Sequence, residues 1–226
     1  LAFYDAIVDA DQGEGVAVLF GNYAGDNMNV KMAVQMAEDD DIEVKYVVAN
    51  DDVASAPKAV KEQRHGIAGG FFMWKVGGAR AAKGGSLDDV IASAQNVVNR
   101  TKSICVGLEP CVIPALGHSN FKIEDGTMEF GVGHHGEAGT KVEKLKSASE
   151  MAQEMAETIL NDFDFEEGKE VAVMLSGLGA TPVMELYVLY DEVEKVLAKA
   201  GHKVWKTYIG NYVTSLDMNG ASLTIV

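Results

Sequence analysis

Residues 16–20, Val16-Ala17-Val18-Leu19-Phe20, form a short apolar run with no polar alternation, preceded and followed by glycine. A strand covered on both faces reads this way, and such strands belong to parallel sheets flanked by helices. The run feeds the loop Gly21-Asn22-Tyr23-Ala24-Gly25-Asp26-Asn27-Met28-Asn29, after which Val30, Ala33, Val34 and Ala37 recur at helical spacing. That spacing predicts a helix over about residues 29–38, and residues 43–48 read as a second strand. A strand-helix-strand unit commits the chain to an α/β design, because parallel neighbours need a crossover between them.

Residues 1–10 read as a short amphipathic helix. A small-residue helix is expected to run through Ala82. Ser86, followed by Asp88 and Asp89, opens another that continues to about Arg100, with the acids favourable to its dipole. From Lys102 the pattern changes. An apolar strand over 103–108 precedes a proline-bounded loop, and residues 121–124 and 127–130 read as a hairpin about Asp125-Gly126. A helix over 149–161, a strand over 170–175, a helix over 183–200 and a strand over 203–209 follow. Residues 212–226 read as a last hairpin about Met218-Asn219-Gly220. The expected fold class is α/β in two lobes. An incomplete three-layer α/β/α lobe with a parallel sheet covers residues 1–102, and an α/β lobe with a mixed sheet covers 103–226. The chain opens at Leu1 in an apolar, helix-like stretch without a signal-peptide pattern, as expected of a fragment entered midway through a domain.

With 226 residues the chain can bury a substantial core. Its net charge of -15 argues against nucleic acid or an anionic membrane as partner, since a phosphate backbone must be met by lysine and arginine. No apolar run approaches the roughly 20 residues of a membrane helix, and a cytoplasmic location is expected. Cys105 and Cys111 are too few and wrongly spaced for a zinc site or a disulfide framework, and read as buried or half-buried free thiols.

Ligands of open α/β sheets gather at the carboxyl ends of strands. Three glycine-bearing loops are expected there: residues 21–29, residues 176–182, and Glu129-Phe130-Gly131-Val132-Gly133-His134-His135-Gly136-Glu137-Ala138-Gly139. The last holds two adjacent imidazoles, each able to act as base, metal ligand or nucleophile, or to stand solvated in a turn. Gly177-Leu178-Gly179 lacks the rest of a dinucleotide fingerprint, and no phosphate-binding loop is present. Asp26 follows a glycine at a helix entrance, where it reads either as an N-terminal cap or as a functional carboxylate. Asp51 and Asp52 read as solvated turn residues and His118 and His202 as surface ones, while His65 is ambiguous. No histidine pair has the i, i+4 spacing of a simple zinc site, and no metal is expected.

Taken in order, these loops resemble one family, the K subunit of dihydroxyacetone kinase and its relatives acting on other small keto-sugars. The resemblance rests on the loop from Gly21 to Asn29 and on Asp51-Asp52-Val53-Ala54, Arg64-His65-Gly66-Ile67-Ala68-Gly69 and Gly107-Leu108-Glu109-Pro110-Cys111-Val112-Ile113-Pro114. Met128-Glu129-Phe130-Gly131-Val132-Gly133-His134-His135-Gly136-Glu137, Gly179-Ala180-Thr181-Pro182-Val183-Met184-Glu185-Leu186-Tyr187 and Thr214-Ser215-Leu216-Asp217-Met218 complete it. It implies that His135 adds through a ring nitrogen to a ketone, forming a covalent hemiaminal, and that Asp26 is the candidate base on the hydroxyl to be phosphorylated. His134 stands where the family usually has an aliphatic residue. The resemblance also implies that the phosphoryl group comes from an L subunit or domain carrying ATP or ADP with Mg. No cofactor is then bound by this chain, and the two-lobed subunit is expected to be a homodimer. An upstream G-S-G-H-E-P segment with a second catalytic histidine is missing before Leu1, so this stretch alone is expected to be inactive. The alternative is a non-catalytic, ligand-sensing co-activator of the same family.

Overall fold

The computed structural model describes residues 1–119, 121–163, 165 and 170–226. The first lobe is built on two parallel strands, β1 (Val16–Gly21) and β2 (Val44–Ala49), in register from Val16 opposite Val44 to Gly21 opposite Ala49. Their side chains alternate with period two. Val16, Val18, Phe20, Val44 and Val48 face α1 (Ala2–Ala10) and α2 (Ala24–Asp39), meeting Ile7, Val30, Ala33, Val34 and Ala37. Leu19, Val47 and Ala49 face α3 (Gly70–Ala82) and α4 (Leu87–Arg100), meeting Phe72, Met73, Ala94, Val97 and Val98. Helices therefore cover both faces, as the apolar run of β1 requires. The Ser86 side chain and Asp89 close a reciprocal capping box at the start of α4. Helix α2 begins at Ala24, earlier than its apolar period suggests. Its first turn is mostly exposed or half-buried, so no apolar residue marks it.

The second lobe is a six-stranded mixed sheet in the order β5-β4-β3-β8-β6-β7. Its strands are β3 (Lys102–Glu109), β4 (Thr127–Phe130), β5 (Lys141–Lys144), β6 (Glu170–Gly177), β7 (Lys203–Gly210) and β8 (Asn219–Ile225). Only β6 and β7 pair in parallel; the other neighbours are antiparallel. Ile104, Val106, Val171, Val173, Leu175, Leu223 and Ile225 form one face. It buries against Met155 and Ile159 of α5 (Ala148–Asp162) and Leu186, Val193 and Leu197 of α6 (Val183–Lys199). On the opposite face of β6, Ala172 and Met174 pack into the same cluster as α3 and α4. One helical layer thus serves both sheets.

Two expected hairpins are absent. Residues 121–124 form no strand; β4 instead pairs with β3, and with β5 beyond the glycine-histidine stretch. The Asp125-Gly126 turn does form, with Thr127 N–H donating to Glu124 O at 3.0 Å, but it leads from a loop into β4. Residues 219–225 form a single strand between β3 and β6, and a central strand buried on both faces leaves no place for a hairpin partner. His202 is half-buried, its ring 6.0 Å from that of Phe165, rather than on the surface. Among the described residues no helix is long and apolar enough to cross a membrane.

Candidate functional site

The three glycine-bearing loops meet at one place. The first leaves β1 at Gly21, and Asn22 N–H is held by Ala49 O at the end of β2. The Asn22 amide donates to Arg64 O at 2.7 Å and to Glu62 O at 3.1 Å, while Asn27 donates to Asn22 Oδ1 at 2.8 Å. These bonds tie the start of α2 to the Arg64–Gly69 stretch. That stretch lies directly on the strand ends. A side chain at Gly66 would collide with Ala49 O and the Gly21 backbone, so only glycine allows the approach.

Asp51 and Asp52 are not solvated. Each is 2% exposed, because the chain leaving β2 is trapped against β3: Ser103 N–H donates to Asp51 O and Val53 N–H to Ser103 O. The Asp51 carboxylate accepts from Ile67 N–H at 3.1 Å and Gly69 N–H at 2.7 Å, clamping the Arg64–Gly69 stretch from beneath. Burial raises its pKa against these hydrogen bonds. Burial also pushes Asp52 up to about 7, opposed by the Ala54 N–H it accepts and by Arg64. Arg64 is itself 1% exposed and forks onto both Asp162 oxygens at 2.7 and 2.6 Å.

The second loop joins β4 to β5. Gly131 and Gly136 take left-handed backbone, with φ of 76° and 78°, which favours glycine. Gly133 N–H donates to Glu137 O at 3.0 Å, closing a tight loop that lifts His135 outward with its side chain 63% exposed. Glu137 reaches back. Its Oε2 accepts from His135 N–H at 2.8 Å and its Oε1 lies 3.4 Å from His135 Nδ1. Burial would raise the Glu137 pKa, but backbone N–H groups and the facing imidazoles hold it below the usual carboxylate range.

Tyr23, the residue before α2, fills the space between the loops. Its ring stacks on His65 at 4.7 Å and meets His135 edge-on at 4.4 Å, and its buried hydroxyl has no partner among the described residues. Burial raises the phenol's pKa, with Glu137 adding to the effect, so the ring stays neutral. Asp26 sits in the first turn of α2, one turn beyond Tyr23. No side chain caps that helix, so the structure assigns Asp26 no capping role.

The third loop, residues 176–182, reaches the site through Leu178, whose carbonyl holds Ser215. Ser215 N–H donates to Leu178 O at 2.8 Å, and its hydroxyl donates to the carbonyl of His134. His134 differs from His135. It is half-buried, and burial, then the neighbouring His135, lowers its pKa to about 4. Both cysteines are free and buried beneath this region, and burial raises the Cys105 thiol well above its usual range. Tyr23 and Glu137 were given no role from sequence, although both lie in the motifs that carry the resemblance. Their parts depend on contacts with rings and backbone that spacing does not display.

A family model described as the Dak1 domain matches residues 2–226. The chain is 40% identical over 223 residues to the dihydroxyacetone-binding subunit DhaK of PTS-dependent dihydroxyacetone kinase 1 from Listeria innocua, covering 99% of this chain and 68% of that protein. It is 37% identical over 217 residues to D-erythrulose kinase from Mycolicibacterium smegmatis, covering 96% of this chain and 37% of the relative. Among solved structures, the dihydroxyacetone kinase operon co-activator Dha-DhaQ superposes with a TM-score of 0.92 at 30% identity, over 98% of this chain and 69% of that one. Family model, relatives and architecture agree: the chain belongs to the Dak1 domain family.

Proposed function

We propose that this chain is the substrate-binding part of a dihydroxyacetone-type keto-sugar kinase, holding a short ketose covalently on His135. The carrying observation is the pair His135 and Glu137. An exposed imidazole that turns Nδ1 to a carboxylate leaves Nε2 free to attack. In the step we envisage, Nε2 bonds to the ketone carbon and the carbonyl π pair moves onto oxygen. Nδ1 gives its proton to Glu137, solvent water protonates the alkoxide oxygen, and the proton on Glu137 returns to solvent, so the hemiaminal keeps every atom of the ketose. Glycerol has no carbonyl and cannot form this bond. Asp26, one turn into α2 beyond Tyr23, serves as base on the hydroxyl that attacks phosphorus.

The carboxylates Asp26 and Glu137 belong to these loops, and Arg64 is committed to Asp162. Such surroundings suit a phosphoryl donor that brings its own counter-charge. This supports transfer from a nucleotide with Mg on an L-type partner; a homodimer in the cytoplasm is what the family resemblance implies. The test is intact mass spectrometry of the full-length protein under native conditions after incubation with dihydroxyacetone. The expected gain is one whole ketose without loss of water, abolished in His135→Ala together with kinase turnover. No gain, and full turnover in His135→Ala, would overturn the proposal.

The likeness to the co-activator supports a second reading, a ligand sensor without turnover. It predicts the same adduct but no phosphate transfer with any L-type partner, and turnover by the full-length protein rules it out.

A further inference from the structure

A cavity of about 200 Å³ opens between the mixed sheet and the first two turns of α5 and α6. Val106 and Ala221 line it from the sheet, and Met151, Leu186 and Leu189 from the helices. These side chains belong to the main core or pack against it, yet they leave a gap there. Protein interiors hold few voids larger than a water molecule, and atoms that line one lose contacts they would otherwise make. On the α5 side Ala148 offers only a methyl group, and Val188 stands exposed at the rim. The cavity lies across β3 from the histidine loop, since β3 turns Val106 toward it and Cys105 toward Val132 of that loop.

The lining sets the class of ligand. An apolar cavity of about 150 Å³ takes up benzene or xenon, so this one has room for a single six-membered ring with a short substituent. The Thr181 hydroxyl in its wall is already committed to Gly220, donating to the carbonyl at 2.6 Å and accepting the N–H at 2.8 Å. Glu185, exposed at the rim, is the one charged residue of the lining and repels a carboxylate or phosphate.

Thr181 also begins a chain of hydrogen bonds that crosses the sheet. The Gly220 carbonyl accepts from Leu178 N–H at 3.1 Å, Leu178 O accepts from Ser215 N–H at 2.8 Å, and the Ser215 hydroxyl donates to the His134 carbonyl. A ligand that displaces Thr181 therefore displaces the peptide joining His134 to His135. We infer that this cavity is a binding site for a small uncharged apolar molecule the size of one six-membered ring, and that its occupancy is felt at His134 and His135. Thr181 is a positioning residue in this scheme, because it reaches the histidines only through Gly220, Leu178 and Ser215.

The test is titration of the full-length protein with benzyl alcohol and with benzoate, following the methyl signals of Met151, Leu186 and Leu189 and the ring signals of His134 and His135 by NMR. Benzyl alcohol should shift the methyl signals to saturation, and benzoate should bind about tenfold more weakly, since its charge finds no partner in the lining. Ala148→Leu fills the cavity from within and Val188→Trp covers it from an exposed position that puts folding at little risk. Each should weaken binding about tenfold, the scale of overpacking. The histidine signals should move with the same midpoint as the methyls; Thr181→Val should abolish that movement and Thr181→Ser, which keeps the hydroxyl, should restore it. No saturable shift, or one unmoved by both Ala148→Leu and Val188→Trp, would overturn the site. Saturation with the histidine signals unmoved would overturn the coupling. No ketose is present in this experiment, so its outcome stands apart from that of the hemiaminal.

Discussion

The ring of Tyr23 meets the ring of His135 edge-on, with centroids 4.4 Å apart, and so joins the helix that carries Asp26 to the loop that carries the imidazole. The contact crosses between the lobes and fixes the side from which His135 can be approached. Truncation and deletion of the hydroxyl should therefore separate. Tyr23→Ala removes packing against two imidazoles and should destabilise by about 2–3 kcal/mol, below the value for a fully buried aromatic. Tyr23→Phe keeps the ring and removes an unpartnered hydroxyl, so it should be neutral or stabilising by up to about 1 kcal/mol. Urea unfolding checks both, and a phenylalanine variant weaker than the original by more than this would show that the hydroxyl has a partner.

Glu137 faces Nδ1 of His135 at 3.4 Å, and in the proposed adduct step its carboxylate accepts the proton. Glu137→Gln retains an oxygen for the His135 N–H but cannot take the proton. The rate of ketose adduct formation should fall about a hundredfold, the usual scale of a positioned acid or base. The same variant should flatten the pH profile of that rate. An unchanged rate and profile would reduce Glu137 to a loop brace.

Asp52 has a folded pKa of about 7, pushed up by burial, against about 3.9 for an unfolded aspartate. The folded state therefore holds the proton more tightly, and stability falls as pH rises from about 4 through 7. Asp52→Asn removes the charge while its amide oxygen still accepts the Ala54 N–H. Its stability relative to the original protein should improve by as much as about 4 kcal/mol between pH 4 and 8. Denaturant midpoints at those two values measure this, and a pH-independent difference would mean that Asp52 is ionised in the fold.

Arg64 and Asp162 form a buried two-pronged pair linking the Arg64–Gly69 stretch to the end of α5. Arg64→Ala strands the carboxylate of Asp162 and should destabilise by about 3–5 kcal/mol. Arg64→Ala/Asp162→Ala should recover part of that loss, since no charge remains unpaired. If the double variant is no better than the single one, the pair acts through packing alone.

Much of this architecture is legible in the sequence. The apolar run of β1, the helical period after it and the cap at Ser86 each act over a few residues, where spacing records the geometry. His135 and Asp26 stand out because glycines surround them and because the motifs follow a family order. Asp51 and Asp52 misled because Asn50-Asp51-Asp52 has the composition of a turn. Their burial is set by Ser103, distant in sequence, which pins the segment to β3. The hairpins misled for a related reason. Residues 127–130 and 219–225 carry strand chemistry, but their partners are chosen by the central positions of β3 and β8, which a local turn signal cannot anticipate.

The helical layer of α3 and α4, packed on β2 by Val47 and Ala49 and on β6 by Ala172 and Met174, gives the two sheets a common wall. Neither sheet can shed that wall without exposing apolar surface of the other. The lobes should therefore behave as one cooperative unit, melting in a single transition, and a cut near Lys102 should leave the second lobe with the bared side of β6 as an aggregation surface. A hinge that opened the cleft at His135 by parting these lobes would have to break a core; adjustments at this site belong to loops and side chains.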